Sequence, residues 1–296
     1  MQTEIIDQLK NNDSTLTTLD LTGNGLGEGR GAAVARALER NTTLTELDLG
    51  YNVLKESGGA AIARALERNT TLTTLDVAGN YLRDGGGVAV AGALERNTTL
   101  EALDLTDNYL EENSGAAIAR ALNRNSTLTS LNLQGNRLRD GGGVAIAGAL
   151  ERNTTLKTLN FGGNYLEEGG GAAVARALET NTTLTSLDLT DNNLGEGVGV
   201  AVAGALERNT TLTTLDLWGN DLREGFGVAV AGALEKNTTL TTLDLRGNYL
   251  GDATMQRISR LLAGREPPEP ETGVKVKAVV PQGIKRKNAG LHLLLL

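Results

Sequence analysis

The chain contains no cysteine, one histidine, one tryptophan and two phenylalanines, and aromatic residues make up 3% of its 296 positions. The absence of thiols excludes a disulfide framework and a thiolate metal site. His292 lies near the C-terminal end, so neither a histidine-based catalytic triad nor a zinc site built on histidines can form. With so few rings, the core must be assembled from Leu, Ala and Val rather than from large aromatic side chains. No run of 18 apolar residues occurs, so no membrane-spanning helix and no membrane partner are expected. The opening MQTEIIDQLKNND has neither a basic start nor an apolar stretch, so a secretory leader is not expected and a cytoplasmic protein is the default. Net charge is −8; residues 265–296 carry six basic and three acidic side chains, which leaves −11 on the rest. So acidic a body argues against nucleic acid, whose recognition rests on Lys and Arg neutralising phosphates.

What is present is periodic. Leucine recurs at 16, 44, 72, 100, 128, 156, 184, 212 and 240, always 28 residues apart, and each copy reads L-x-x-L-x-L-x-x-N-x-L. The first runs Leu16, Leu19, Leu21, Asn24, Leu26 and the last Leu240, Leu243, Leu245, Asn248, Leu250; only Val77 and Phe161 replace Leu. The L-x-L step alternates with period two and predicts a short strand. The segment from Gly31 to Arg40 places Gly31, Val34, Ala37 and Leu38 at helical spacing, and Ala favours a helix lying close to the strand layer. Asn41-Thr-Thr then punctuates the helix end. No single strand–helix unit buries its own apolar face, but stacked units share one continuous core. The expected fold class is α/β: a right-handed solenoid of nine 28-residue repeats, a horseshoe with a parallel sheet on its concave face and helices outside. The Asn at positions 24, 52, 80 and onward to 248 reads as a ladder of buried amides bonded to loop backbone groups.

These residues resemble the ribonuclease-inhibitor-like class of leucine-rich repeats, and most closely the C-terminal repeats of NOD-like receptors. The repeats of Ran GTPase-activating protein are similar in type. The resemblance covers roughly residues 14–262 and implies a non-enzymatic protein-interaction scaffold with no catalytic residue and no cofactor. Two alternatives follow from it: a GTPase-activating regulator of the Ran-activating type, and a structural or engineered repeat array without a natural ligand. Two departures from these relatives stand out: ribonuclease inhibitors are rich in Cys, and NOD-like receptors carry a nucleotide-binding domain, whereas no G-x-x-x-x-G-K-[ST] run occurs here. Helices alternate between an A-A-[VI]-A-R-A-L form and a V-A-[VI]-A-G-A-L form; recent duplication and consensus design both produce such a pattern. The expected organisation is an N-terminal helical cap over 1–13, repeats over 14–250, a C-terminal cap helix over 251–264, and a Pro-containing linker with a disordered basic tail over 265–296.

Strand residues between the buried leucines are expected on the concave face. Their central column is Asp20, Asp48, Asp76, Asp104, Asn132, Asn160, Asp188, Asp216 and Asp244. Carboxylates about 5 Å apart repel by roughly 1 kcal/mol per pair even at the dielectric of water, and the two Asn split the ladder into runs of four and three. One reading makes the column a solvated feature of the repeat, bonded to neighbouring Thr and Ser. The other makes it a negative groove that attracts a basic segment of a protein partner. The candidate partner-binding set is Glu46, Asp48, Asp76, Asp104, Asp107, Asp188, Asp191, Asp216, Trp218 and Arg246, with Trp218 beside Arg246 read either as a hot spot or as a ring packed on its neighbours. The chain is expected to act as a monomer. Tyr81, Tyr109, Tyr165 and Tyr249 share one phase and are expected to stack along a rim. Eight Asn-Thr-Thr or Asn-Ser-Thr triplets match glycosylation acceptors but read as helix-end turns. Gly-rich runs such as Asp84-Gly-Gly-Gly87 read as repeat loops without the Lys of a phosphate cradle. Glu111-Glu112 and Glu167-Glu168 lack the alternating ligand spacing of a calcium loop, so no metal is expected.

Overall fold

Three-residue strands recur once per repeat in the computed structural model, which describes residues 2–265. They are β1 (Thr18–Asp20), β2 (Glu46–Asp48), β3 (Thr74–Asp76), β4 (Ala102–Asp104), β5 (Ser130–Asn132), β6 (Thr158–Asn160), β7 (Ser186–Asp188), β8 (Thr214–Asp216) and β9 (Thr242–Asp244). They form one open sheet in chain order, and every neighbouring pair is parallel. The register never slips: Leu47 faces Leu75, and Asp48 faces Asp76, as their counterparts do in the next repeats. Each strand is x-L-x, so its central leucine turns inward and the two flanking side chains lie on the open face. Leu47, Leu75 and Leu103 are at most 2% exposed. Leu19 and Leu243, at the two edges, are only half-buried because each has a neighbouring strand on one side.

Ten helices accompany the strands among the described residues: α1 (Gln2–Lys10), α2 (Gly27–Leu38), α3 (Lys55–Leu66), α4 (Arg83–Leu94), α5 (Glu112–Leu122), α6 (Arg139–Leu150), α7 (Glu167–Leu178), α8 (Gly199–Arg208), α9 (Glu224–Leu234) and α10 (Asp252–Leu262). A 3₁₀ turn at Glu196–Val198 leads into α8. One apolar cluster runs from Leu9 of α1 to Ile258 of α10, so each repeat completes its core with its neighbour's leucines.

The run Asp84-Gly-Gly-Gly87 forms the first turn of α4 and is not a loop. The correction has a packing cause. A Cβ on Gly59 of α3 would lie 2.8 Å from Cα of Gly86, and one on Gly115 of α5 would lie 2.7 Å from Cα of Gly142. Adjacent helices touch backbone to backbone there, and that approach outweighs the roughly 1 kcal/mol helix penalty of each glycine.

The amide ladder exists, with a correction at its ends. Seven members, Asn52 to Asn220, are buried, but Asn24 is exposed and Asn248 half-buried because the stack stops there. Asn80 is representative. Its Nδ2 donates to Leu49, Val77 and Ala78 carbonyls at 2.8–3.0 Å, and its Oδ1 accepts from the N–H groups of Asn52 and Leu54. A second ladder, read in the sequence only as turns, runs through Asn41, Asn69, Asn97, Asn125, Asn153, Asn181, Asn209 and Asn237, all buried. Asn69 Nδ2 donates to Leu38 O and Asn41 O, while its Oδ1 accepts from Thr71 and Leu72 N–H. Side chains so committed are closed to a glycan.

At the N-terminal end Asn41 Nδ2 donates to Leu9 O at 2.9 Å, tying α1 to the stack. At the other end Arg265 donates to the carbonyls of Leu240 and Leu234. Of the linker and basic tail expected over 265–296, residues 266–296 lie outside the described residues.

Candidate protein-binding face

The open face of the sheet is organised by its third strand position. In all nine repeats the Asp or Asn there accepts, through Oδ1, the N–H of the residue two further on, at 2.8–3.1 Å. This turn closes each strand, and it needs an acceptor oxygen rather than a charge. Asn132 and Asn160 therefore serve as well as Asp, and Asn132 also donates Nδ2 to Asp104 Oδ2 at 2.9 Å.

The electrostatics depart from the expected ladder of repelling solvated carboxylates. Burial, not mutual repulsion, is the largest cause. It pushes Asp76 up to about 7, with Asp104, Asp48 and Asp20 adding to the rise and the Ala78 N–H opposing it. Asp216 is pushed up to about 6 by burial, with Asp188 and Asp244 adding to it. Burial also raises Asp104, Asp107 and Asp188. Asp244 moves the other way: Arg246 lowers it through a bidentate contact, Nε reaching Oδ1 at 3.0 Å and Oδ2 at 2.9 Å.

The candidate residues separate into two settings. Asp48, Asp76, Asp104, Asp188 and Asp216 form the half-buried column, and Glu46 lies exposed at the start of β2. Asp107 and Asp191 sit one turn further on, exposed on the rim at φ 53 and 50. Trp218 is 39% exposed and lies over Gly247, where a Cβ would stand 3.0 Å from its Nε1; Gly247 also holds φ 70, a second reason for glycine there. The guanidinium of Arg246 is engaged by Asp244.

The rim carries more than the sequence reading assigned it. Tyr81 and Tyr109 stack with ring centroids 5.6 Å apart, and the Arg137 guanidinium lies 4.7 Å above the Tyr109 ring. Tyr51, in a different phase, lies over Gly79, and burial together with Asp107, Asp76, Asp104 and Asp48 raises its phenol. Tyr51, Val53, Tyr81, Tyr109 and Tyr165 are 40–56% exposed, and all hold φ of 57 or 58. A side chain in this left-handed region costs about 1 kcal/mol or more relative to glycine, and the first repeat has Gly23 and Gly25 at the same two positions. A signal for Tyr51 lay in the sequence: one large residue in a column otherwise of Gly and Asp.

Two single carboxylates in the first turns of α4 and α9 have structural work. Asp84 accepts from the N–H and Oγ of Ser114 at the start of α5, and Glu224 accepts from Gly251 N–H before α10. Each thus caps the helix of the following repeat. Two shallow grooves, about 430 and 380 Å³, lie beside α10 and between α3 and α4, on the helical side.

A family model described as Leucine Rich repeat matches residues 12–28, 40–63, 68–91, 96–119, 124–147, 152–175, 180–197, 208–223 and 236–259. The chain belongs to the leucine-rich repeat family. No curated protein matches it in sequence. Among solved structures, it is similar to Leiomodin-1 Actin-Binding Site 2 (ABS2), at 26% identity over 51% of this chain and 87% of that one, with a TM-score of 0.45. Leucine-rich repeat proteins commonly act as protein-interaction scaffolds and are typically non-enzymatic. Among the described residues no helix is long and apolar enough to cross a membrane, and no group of three or more His, Asp or Glu is placed to hold a metal ion.

Proposed function

We propose that this leucine-rich repeat chain is a scaffold whose sheet face receives a basic segment of a partner protein. The observation that carries the reading is the in-register column of half-buried carboxylates, Asp48, Asp76 and Asp104 in one half and Asp188 and Asp216 in the other. Burial raises the proton affinity of four of these five. A cation arriving beside them recovers the stabilisation that water no longer supplies, so the face gains more from a basic ligand than a solvated acidic surface would. The 28-residue strand–helix unit supports the ribonuclease-inhibitor-like type of repeat, and the chain is taken to act as a monomer.

The test exploits the internal substitution already present at Asn132 and Asn160. Asp76→Asn, Asp104→Asn and Asp216→Asn together keep the acceptor that closes each strand and remove three charges. Titrating a labelled hexapeptide of alternating Arg and Lys into the full chain by fluorescence anisotropy should show about tenfold weaker binding in the triple variant. Binding should also weaken with salt. Equal affinity in the two proteins, with unchanged unfolding, would remove the sheet face from consideration.

A further inference from the structure

Exposed rings held in an unfavourable backbone region are the feature that the scaffold reading leaves over. Tyr51, Val53, Tyr81 and Tyr109 all occupy left-handed backbone, while Gly23 and Gly25 show that the repeat closes without any side chain at these positions. Their exposure of 40–56% means that the core does not account for them. Strain of this kind, kept where the first repeat shows a relaxed glycine, points outward to a contact with something else.

What the rim would contact is indicated by two observations. The chain already lays a guanidinium on it: Arg137 sits 4.7 Å over the Tyr109 ring, on the stack that Tyr109 forms with Tyr81. The rim also borders the acidic column, since Asp107, Asp76, Asp104 and Asp48 all act on the Tyr51 phenol. Ring faces and carboxylate oxygens are thus presented side by side. A lysine ammonium, compact and strongly hydrated, gains mainly from the carboxylates. A guanidinium is flat and weakly hydrated, so it can lie on a ring while its edge donates to a carboxylate.

Resting on the reading that the sheet face takes a basic segment, we propose that the rim of Tyr51, Val53, Tyr81 and Tyr109 makes that face selective for arginine over lysine in the partner protein. Guanidinium groups lie against the Tyr51 and Tyr81 rings in the manner of Arg137 on Tyr109, and Asp104 and Asp107 accept their N–H groups.

The experiment compares labelled hexa-arginine and hexa-lysine peptides on the full chain by anisotropy at one salt concentration. The unmodified protein should prefer hexa-arginine by about fivefold. Tyr51→Gly with Tyr81→Gly, which restores what the first repeat has at 23 and 25, should bring arginine affinity down to the lysine value and leave lysine affinity unchanged. Thermal unfolding of the variant should remain cooperative, so that lost selectivity is not lost folding. Equal affinity for the two peptides in the unmodified protein, or a preference that survives both substitutions, overturns the proposal. Asp76→Asn with Asp104→Asn separates the two levels of inference. If both peptides weaken in that variant while the tyrosine variant keeps its arginine preference, the selectivity fails and the docking face stands. If neither peptide responds to the Asp variant, the docking reading falls and takes the selectivity with it.

Discussion

Val53 holds a β-branched side chain at φ 57, with 45% of its surface exposed. Little packing offsets that conformation, so Val53→Gly should raise unfolding stability by about 0.5–1 kcal/mol once the greater freedom of glycine in the unfolded chain is counted. Urea unfolding at fixed pH would measure it, and a loss of stability would show that Val53 packs against something the rim needs. Asn80 lies at the opposite extreme. Asn80→Ala leaves the buried N–H groups of Asn52 and Leu54 without their acceptor and takes one of two donors from each of three carbonyls, and a cost of about 3 kcal/mol is expected. Asn24→Ala, at the exposed end of the same ladder, should cost well under that amount. Comparable losses at the two positions would mean that burial does not set the ladder's strength.

Between elements, the helical glycines divide into two kinds that the sequence does not distinguish. Gly115 faces the Gly142 backbone at a distance no Cβ can share, whereas nothing lies within 4 Å of where a Cβ on Gly92 would be. Gly115→Ala should destabilise by about 2 kcal/mol through displaced helices, and Gly92→Ala should stabilise by about 0.5–1 kcal/mol through helix propensity. Thermal unfolding of the pair checks both signs. The same glycines show where sequence reasoning reaches its limit. Strand positions, helix faces and the 28-residue stack were legible because apolar periodicity reports burial directly. The Gly-Gly-Gly runs read as loops because flexibility and close approach use the same residue, and only the distance between α3 and α4 or α5 and α6 decides between them. The second Asn ladder had a usable signal, a fixed period of 28 at every helix end, but Asn also marks turns.

For the whole molecule, the sheet face was visible as a column of acids, yet its character was not, because half-burial depends on how the strands stack. Asp76 keeps its proton up to about pH 7 in the folded chain, and Asp216 up to about 6, whereas the unfolded chain releases both near 3.8. The folded state therefore binds more protons between those values, and stability falls as pH rises through them, by at most about 1.4 kcal/mol per unit for each carboxylate. Melting temperature should decline from pH 5 to pH 8, and Asp76→Asn should flatten the decline. Binding of a cationic segment favours the ionised column, so its pH dependence has the opposite sign. The most direct test of the docking face is the affinity of the mixed Arg and Lys hexapeptide for the full chain at pH 5.5 and 7.5, beside the Asp76→Asn, Asp216→Asn variant. Binding should be several-fold tighter at the higher pH in the unmodified protein, and the variant should show a clearly smaller pH dependence, carried by Asp104, Asp107 and Asp188. Tighter binding at pH 5.5, or the same pH dependence in both proteins, would contradict the assignment of the carboxylate column as the binding face.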